Sequence, residues 1–256
     1  MADIDFFEKG TGQPVLLIHG FCETANMWTD FANTLSDEFR VICPNLPGIA
    51  GSPISGDQIS LEEVAITLEE WLDECQIQDP IVIGHSLGGY ITLALLELMG
   101  NRIKAIGLFH STAFADDAAK KDMRNRATVF LKKHGVDKYV TSFIPMLFPE
   151  NKRGKLSPEI ERAIEDAKRS SLQGLVAYTG AMRDRKNRLE VLKNYSGPKL
   201  LIAGTHDGAV TIEASRAQKD AFSHFIELEG VGHMGMVESK DETMEIIREF
   251  CRFCVN

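Results

Sequence analysis

One serine stands among three glycines in Gly84-His85-Ser86-Leu87-Gly88-Gly89, after the apolar run Ile81-Val82-Ile83 and before a long apolar stretch. A serine hydroxyl is a poor nucleophile unless it is exposed, set against a base and aimed at a carbonyl whose developing oxyanion meets preformed donors. A sharp turn from strand to helix supplies these conditions. It brings neighbouring backbones so close that Gly84 and Gly88 must lack side chains, and it leaves the N–H of Leu87 at a helix N-terminus. The chemistry such a turn serves is acyl transfer through a covalent intermediate on Ser86. A phosphate-cradling loop is excluded, because neither G-x-G-x-x-G nor G-x-x-x-x-G-K-[ST] can be laid over these residues.

With its flanking strand and helix, Gly84-His85-Ser86-Leu87-Gly88 resembles the nucleophile elbow of the α/β-hydrolases. Three further places are similar to that family. His19-Gly20-Phe21 looks like its oxyanion loop; the resemblance implies that the N–H of Phe21 pairs with that of Leu87 around the oxyanion, and that His19 braces the loop. Asp207, before Gly208, is on local sequence equally a turn aspartate, but its place after the run Leu200-Leu201-Ile202 looks like that of the family's acid. His233, in Gly230-Val231-Gly232-His233-Met234, looks like the general base. The order Ser86, Asp207, His233 is the chain order of the family, and the remaining histidines, 19, 85, 110, 134, 206 and 224, compete less well. Where relatives commonly carry Pro-Asp-Leu-Pro-Gly-x-Gly-x-Ser, this chain has Asn45 for the carboxylate and Ala50 for a glycine, a departure that bears on local stability and pocket shape.

Elements must position these residues. The runs 15–18, 41–42, 81–83, 106–109 and 200–202 read as strands buried on both faces, and 225–228 as a shorter one. Leu61, Val64, Ala65, Leu68, Trp71, Leu72 and Cys75 recur at helical spacing after Ser60, with Glu63 completing a capping box. Ser239 and Glu242 begin a final helix in the same way, with Met244, Ile247, Phe250, Cys251 and Cys254 on one face. Strand and helix alternate, which predicts a mostly parallel sheet of about eight strands with helices on both faces. The alternation lapses over 114–190, which reads as several helices, one starting at Ser157-Pro158-Glu159. The expected organisation is an α/β core from 1–113 and 191–256 with a helical cap, 114–190, inserted in it.

Composition narrows the function. A net charge of −9 argues against nucleic acid as a partner. The acidic start, Met1 to Asp5, resembles no secretory signal, and Ile91 to Met99 is too short to span a bilayer, so the expectation is a cytoplasmic protein without a membrane role. Five scattered cysteines fit a reducing compartment, and Cys251 and Cys254 read as helix-face residues rather than a redox or metal pair. The 114–190 segment holds 17 Lys/Arg against 11 Asp/Glu, leaving 11 against 26 elsewhere; docking or solvation explains this, or the attraction of an anionic substrate.

The family resemblance implies a small-molecule serine hydrolase of the carboxylesterase type that needs no metal or organic cofactor. Serine at the elbow argues against the dehalogenase and epoxide-hydrolase branches, which need a carboxylate there. Carbon–carbon bond hydrolases and proline iminopeptidases share the triad. A ligand sensor of the same fold, with slow or no turnover, is the alternative from another class.

Overall fold

In a computed structural model, which describes residues 4–54 and 58–255, the apolar runs become strands. Met1, Ala2 and Asp3 of the acidic start lie outside the described residues. β1 (Phe6–Lys9) and β2 (Pro14–Ile18) precede α1 (Thr29–Leu35), β3 (Arg40–Pro44), α2 (Leu61–Glu74), β4 (Ile81–His85), α3 (Leu87–Met99) and β5 (Ala105–Phe109). Between β5 and β6 (Lys199–Gly204) the described chain is all helical: α4 (Ala118–Phe143, kinked at Gly135), α5 (Glu150–Arg153), α6 (Ser157–Ala167), α7 (Leu172–Asp184) and α8 (Leu189–Asn194), besides one short 3-10 turn. Then come α9 (Ile212–Arg216), β7 (His224–Leu228), α10 (Gly235–Glu238) and α11 (Lys240–Val255).

The sheet has seven strands among the described residues, where about eight were expected, in the order β1-β3-β2-β4-β5-β6-β7. Only β1 runs antiparallel, against β3. β4 and β5 are buried along their whole length, as continuous apolar runs require when helices cover both faces. β1 escaped the sequence reading because it is an edge strand, Phe-Phe-Glu-Lys, and largely exposed. The chain steps outward from β2 to β3, then returns across β2 to form β4 on its other side. That reversal opens a crevice at the carboxyl ends of β2 and β4, the place where such sheets bind ligands.

Local signals act as the sequence implies. Ser60 Oγ accepts the N–H of Glu63 at 3.1 Å, and Glu63 Oε2 accepts the N–H of Ser60 at 2.7 Å, so the capping box of α2 is complete. At the start of α11 the two side chains bond each other instead, Ser239 Oγ to Glu242 Oε2 at 2.6 Å. α6 opens at Ser157 with Pro158 in its first turn. Among the described residues no helix is long and apolar enough to cross a membrane.

The helical segment leaves and rejoins the sheet at one point. The N–H of Arg188 donates to the carbonyl of Ala113 at 2.8 Å, and Arg185 Nε donates to the carbonyl of Phe114 at 3.0 Å. The buried Arg188 guanidinium then reaches Glu97 on α3 (3.0 Å) and Glu62 on α2 (2.7 Å).

Asn45 has a structural reason. Its Oδ1 accepts the N–H of Ala25 at 2.8 Å, and its Nδ2 donates to Asp5 Oδ2 at 2.7 Å. A carboxylate at 45 would face that of Asp5 with no proton between them. Ala50 holds a left-handed backbone, φ 48°, which the glycine common in relatives would take without strain. Asn45→Asp is therefore expected to destabilise the fold by about 1–2 kcal/mol, through like-charge repulsion and a lost hydrogen bond. Asp5→Asn in the same background should recover most of this in urea melts near neutral pH.

Candidate active site

The sheet delivers the chemistry-bearing residues in a row. His19 follows β2, Ser86 follows β4, His110 follows β5, Asp207 lies three residues past β6 and His233 five past β7, and these five strands are consecutive in the sheet. Parallel strands end on the same side, so all five residues gather at one edge.

At the elbow the chain has no spare room. A Cβ on Gly84 would lie 2.2 Å from Gly88 backbone, and one on Gly88 would lie 2.3 Å from the carbonyl oxygen of Ile18 in β2. Ser86 takes φ 50° and ψ −113°, a conformation a non-glycine residue holds only when its surroundings force it. β5 supplies the force: the N–H of Ser86 donates to the carbonyl of Phe109 (2.9 Å), and Ser111 Oγ donates to the carbonyl of Ser86 (2.8 Å). Leu87 begins α3, where its N–H has no intrahelical acceptor. Phe21, also with no acceptor for its N–H among the described residues, packs its ring edge-on against Tyr139 and Phe143 of α4, at 6.1 and 5.9 Å.

Asp207 is saturated with donors. Its Oδ1 accepts the N–H groups of Ala209 (2.8 Å) and Val210 (2.9 Å), and its Oδ2 faces His233 Nδ1 (2.8 Å) and His110 Nδ1 (3.1 Å). A carboxylate can only accept, so both imidazoles carry a proton on Nδ1, which leaves Nε2 of neutral His233 as a free lone pair. Burial pushes the Asp207 carboxyl up, but His233 and the His110 hydrogen bond outweigh it and hold the acid well below the usual carboxylate range. Burial pulls His233 down, yet Asp207 more than offsets this, and the imidazole ends above its ordinary value. The Ser86 hydroxyl and His233 are not hydrogen-bonded to each other here, a looseness common before substrate binds.

A second acid–imidazole pair lies behind the first. Glu23 Oε2 accepts the N–H of Gly20 (2.5 Å) and faces His85 Nδ1 (2.9 Å), while His85 Nε2 lies 2.9 Å from the carbonyl of His233. That carbonyl can only accept, so Nε2 carries a proton, and one further proton sits between Nδ1 and Glu23. Burial raises the Glu23 carboxyl, but His85 and the Gly20 N–H outweigh it and leave it below its ordinary value. One chain of contacts thus joins the His19-Gly20-Phe21 loop to the backbone of His233.

His19 is a brace in this geometry. Its Nε2 accepts the N–H of Leu46 (3.0 Å) and its Nδ1 donates to the carbonyl of Gly20 (2.9 Å), so it is neutral, and burial keeps it so. The loop that carries His233 is braced too: the N–H of His233 donates to the carbonyl of Leu147, and Glu238 accepts the N–H groups of Gly232 and Met234 while pairing with Lys152 of α5. Asp184 pairs with Arg183 at the surface. Trp28, Phe148 and Tyr178 are core, and Met146 is exposed.

Sequence reasoning did not single out Glu23, and it weighed His85 and His110 only as rivals of His233. Three donor atoms, on His110, Asp207 and His233, lie within 4.8 Å of one another, a spacing that also suits a metal ion, though both imidazole N–H groups already serve the carboxylate. A cleft of about 850 Å³ opens beside the site, between Cys22, Met27, Met234 and Met236 on the core and Arg162 and Asp166 on α6.

A family model described as alpha/beta hydrolase fold matches residues 13–240. The chain belongs to that family. It is 28% identical over 251 residues to Lipase 1 of Psychrobacter immobilis, covering 93% of this chain and 77% of the lipase. It is 26% identical to the dihydrolipoyllysine-residue acetyltransferase component of the acetoin cleaving system of Pseudomonas putida, covering 96% of this chain but only 66% of that protein's length. Among solved structures, a thermophilic esterase from Thermogutta terrifontis, with malate bound, superposes with a TM-score of 0.92 at 26% identity, covering 98% of this chain and 93% of the esterase. The lipase and the esterase among its relatives support hydrolytic chemistry on this fold.

The buried Glu23–His85 pair yields a prediction about stability. Glu23→Gln removes a buried charge from its partner, and a loss of roughly 3 kcal/mol is expected at neutral pH. The folded-state carboxyl is held below its ordinary range, so its contribution is fully present above the unfolded pKa of about 4.3 and fades as pH falls through the folded value. Urea melts of the two proteins should therefore converge in acid.

Proposed function

We propose that the protein is a serine carboxylesterase acting on small-molecule esters, with Ser86 as nucleophile, His233 as general base and acid, and Asp207 as the acid that orients it. The observation that carries this reading is the buried Asp207–His233 pair, tied through His85 to the strand that leads into the strained Ser86.

In the reaction, Nε2 of His233 takes the proton of Ser86 as Oγ attacks the ester carbonyl. The N–H groups of Phe21 and Leu87 receive the developing oxyanion, the latter aided by the N-terminus of α3. The imidazolium, stabilised by Asp207, returns the proton to the departing alcohol and leaves an acyl group on Ser86. Water, deprotonated by His233, then releases the acid. Residues 114–190 serve as a cap, and the cleft between Met234 and α6 admits the substrate. The five cysteines are unpaired, which supports a reducing, cytoplasmic setting.

Most basic side chains of the cap pair with carboxylates, as in Arg126–Asp122, Arg162–Glu159, Lys168–Glu165 and Arg169–Asp166. This favours docking and solvation as the meaning of the cap's positive balance. Raising ionic strength should then change kcat/KM for an anionic ester by less than about twofold.

The deciding experiment is labelling by a fluorophosphonate, wild type beside Ser86→Ala, with turnover of nitrophenyl esters of rising acyl length. Labelling lost in the variant and steady turnover in wild type are expected; activity surviving in Ser86→Ala overturns the mechanism, and labelling without turnover favours the ligand-sensor reading. Asp207→Asn should lower kcat by about 10⁴-fold through the wrong tautomer. Because His233 must be neutral to act and its pKa is raised, the acid limb of kcat/KM should lie above the ordinary imidazole value of 6.5.

A further inference from the structure

We infer that His110 is a positioning residue for the Asp207–His233 pair, donating its Nδ1 proton to Asp207 Oδ2 so that the carboxylate is held from two sides. The inference rests on the catalytic reading of that pair and adds a member the triad does not include.

Three features converge on His110, each unfavourable by itself. Its backbone is left-handed, φ 49°, where a β-carbon is crowded. Its side chain is fully buried, and its Nε2 has no hydrogen-bond partner among the described residues. A cavity-filling role would be met by any apolar side chain without leaving a nitrogen orphaned. Among the described residues the one polar contact the imidazole makes is the 3.1 Å bond to Asp207, so that bond is what the position provides.

The surroundings fix its protonation. The ring stacks on Phe109 and lies 5.7 Å from the ring of His233 and 5.9 Å from that of His85, while Gly235 of α10 closes over Nε2. The groups that face it are Asp207, His233 and His85; a second proton on Nε2 would add a buried cation beside two other imidazoles. Burial brings the His110 imidazole down to about 4, so at neutral pH it stays a neutral donor. The next residue completes the frame, since Ser111 Oγ holds the carbonyl of Ser86. Two adjacent residues at the end of β5 thus hold the acid and the nucleophile.

The consequence concerns how Asp207 divides its charge. With His110 present, Oδ2 is shared between two N–H donors; without it, Oδ2 bears on His233 alone and holds its proton more tightly. His110→Leu fills the same space without a donor, and His110→Asn offers an amide N–H near the position of Nδ1 on a residue that tolerates left-handed backbone. The test is a ¹⁵N-histidine NMR titration of His233 in both variants, alongside kcat/KM against pH.

In the Leu variant, His233 should titrate at higher pH, the acid limb should move up with it, and kcat should fall by about tenfold or more, while the Asn variant should stay within about threefold of wild type. His110→Ala replaces the Leu variant should that fail to fold. An unmoved His233 titration in the folded donor-less variant, or an Asn variant as impaired as that one, overturns the inference and leaves His110 a packing residue. The titration needs no substrate, so a protein without ester turnover would count against the proposed function and not against this.

Discussion

The site depends on the absence of two side chains. Gly84 and Gly88 meet at a distance no β-carbon could occupy, and Gly88 rests on the backbone of β2. Because β2, β4 and α3 touch there as bare backbone, the helix begins directly where the strand ends, and Ser86 is left in a conformation it would not choose. Widening this contact by one methyl group would push α3 off the sheet, and with it the N–H of Leu87 and the row of residues that the neighbouring strands bring to the same edge.

Electrostatics around His233 follow a similar economy. One carboxylate, Asp207, faces its ring, and another, Glu23, acts on its backbone through His85. Both acids are buried, which alone would drive them to the neutral form, and each stays ionised because its oxygens meet N–H donors and an imidazole. The two pairs differ in what they leave free. Asp207 leaves His233 Nε2 unencumbered, whereas both nitrogens of His85 are engaged. Two imidazoles five ångströms apart thereby differ in whether a ring nitrogen stays open.

Much of this was legible in the sequence where the signal is local. The elbow, the capping box of α2, the start of α6 and the all-helical stretch before β6 are short-range patterns, and the structure has them. What escaped was long-range. Glu23 meets His85 across 62 residues, His85 meets His233 across 148, and His110 meets Asp207 across 97, so no spacing along the chain announces any of them. Asp207 shows the intermediate case: locally it is a turn aspartate, and it does accept the N–H groups of Ala209 and Val210 as such a turn would, yet its other oxygen faces two histidines. Asn45 was read only as a departure; its reason, Asp5, lies 40 residues away.

The joint at Ala113 and Arg188 has a consequence for how this chain can vary. Because the two ends of the helical segment are hydrogen-bonded to each other, the sheet experiences the whole segment as a single graft point, with Arg188 as its rivet to α2 and α3. Helices within the graft can lengthen, shorten or be exchanged without shifting the register of β5 against β6, provided the rivet stays. The helical segment can thus be remodelled on an unchanged sheet, as connections on a rigid scaffold commonly are.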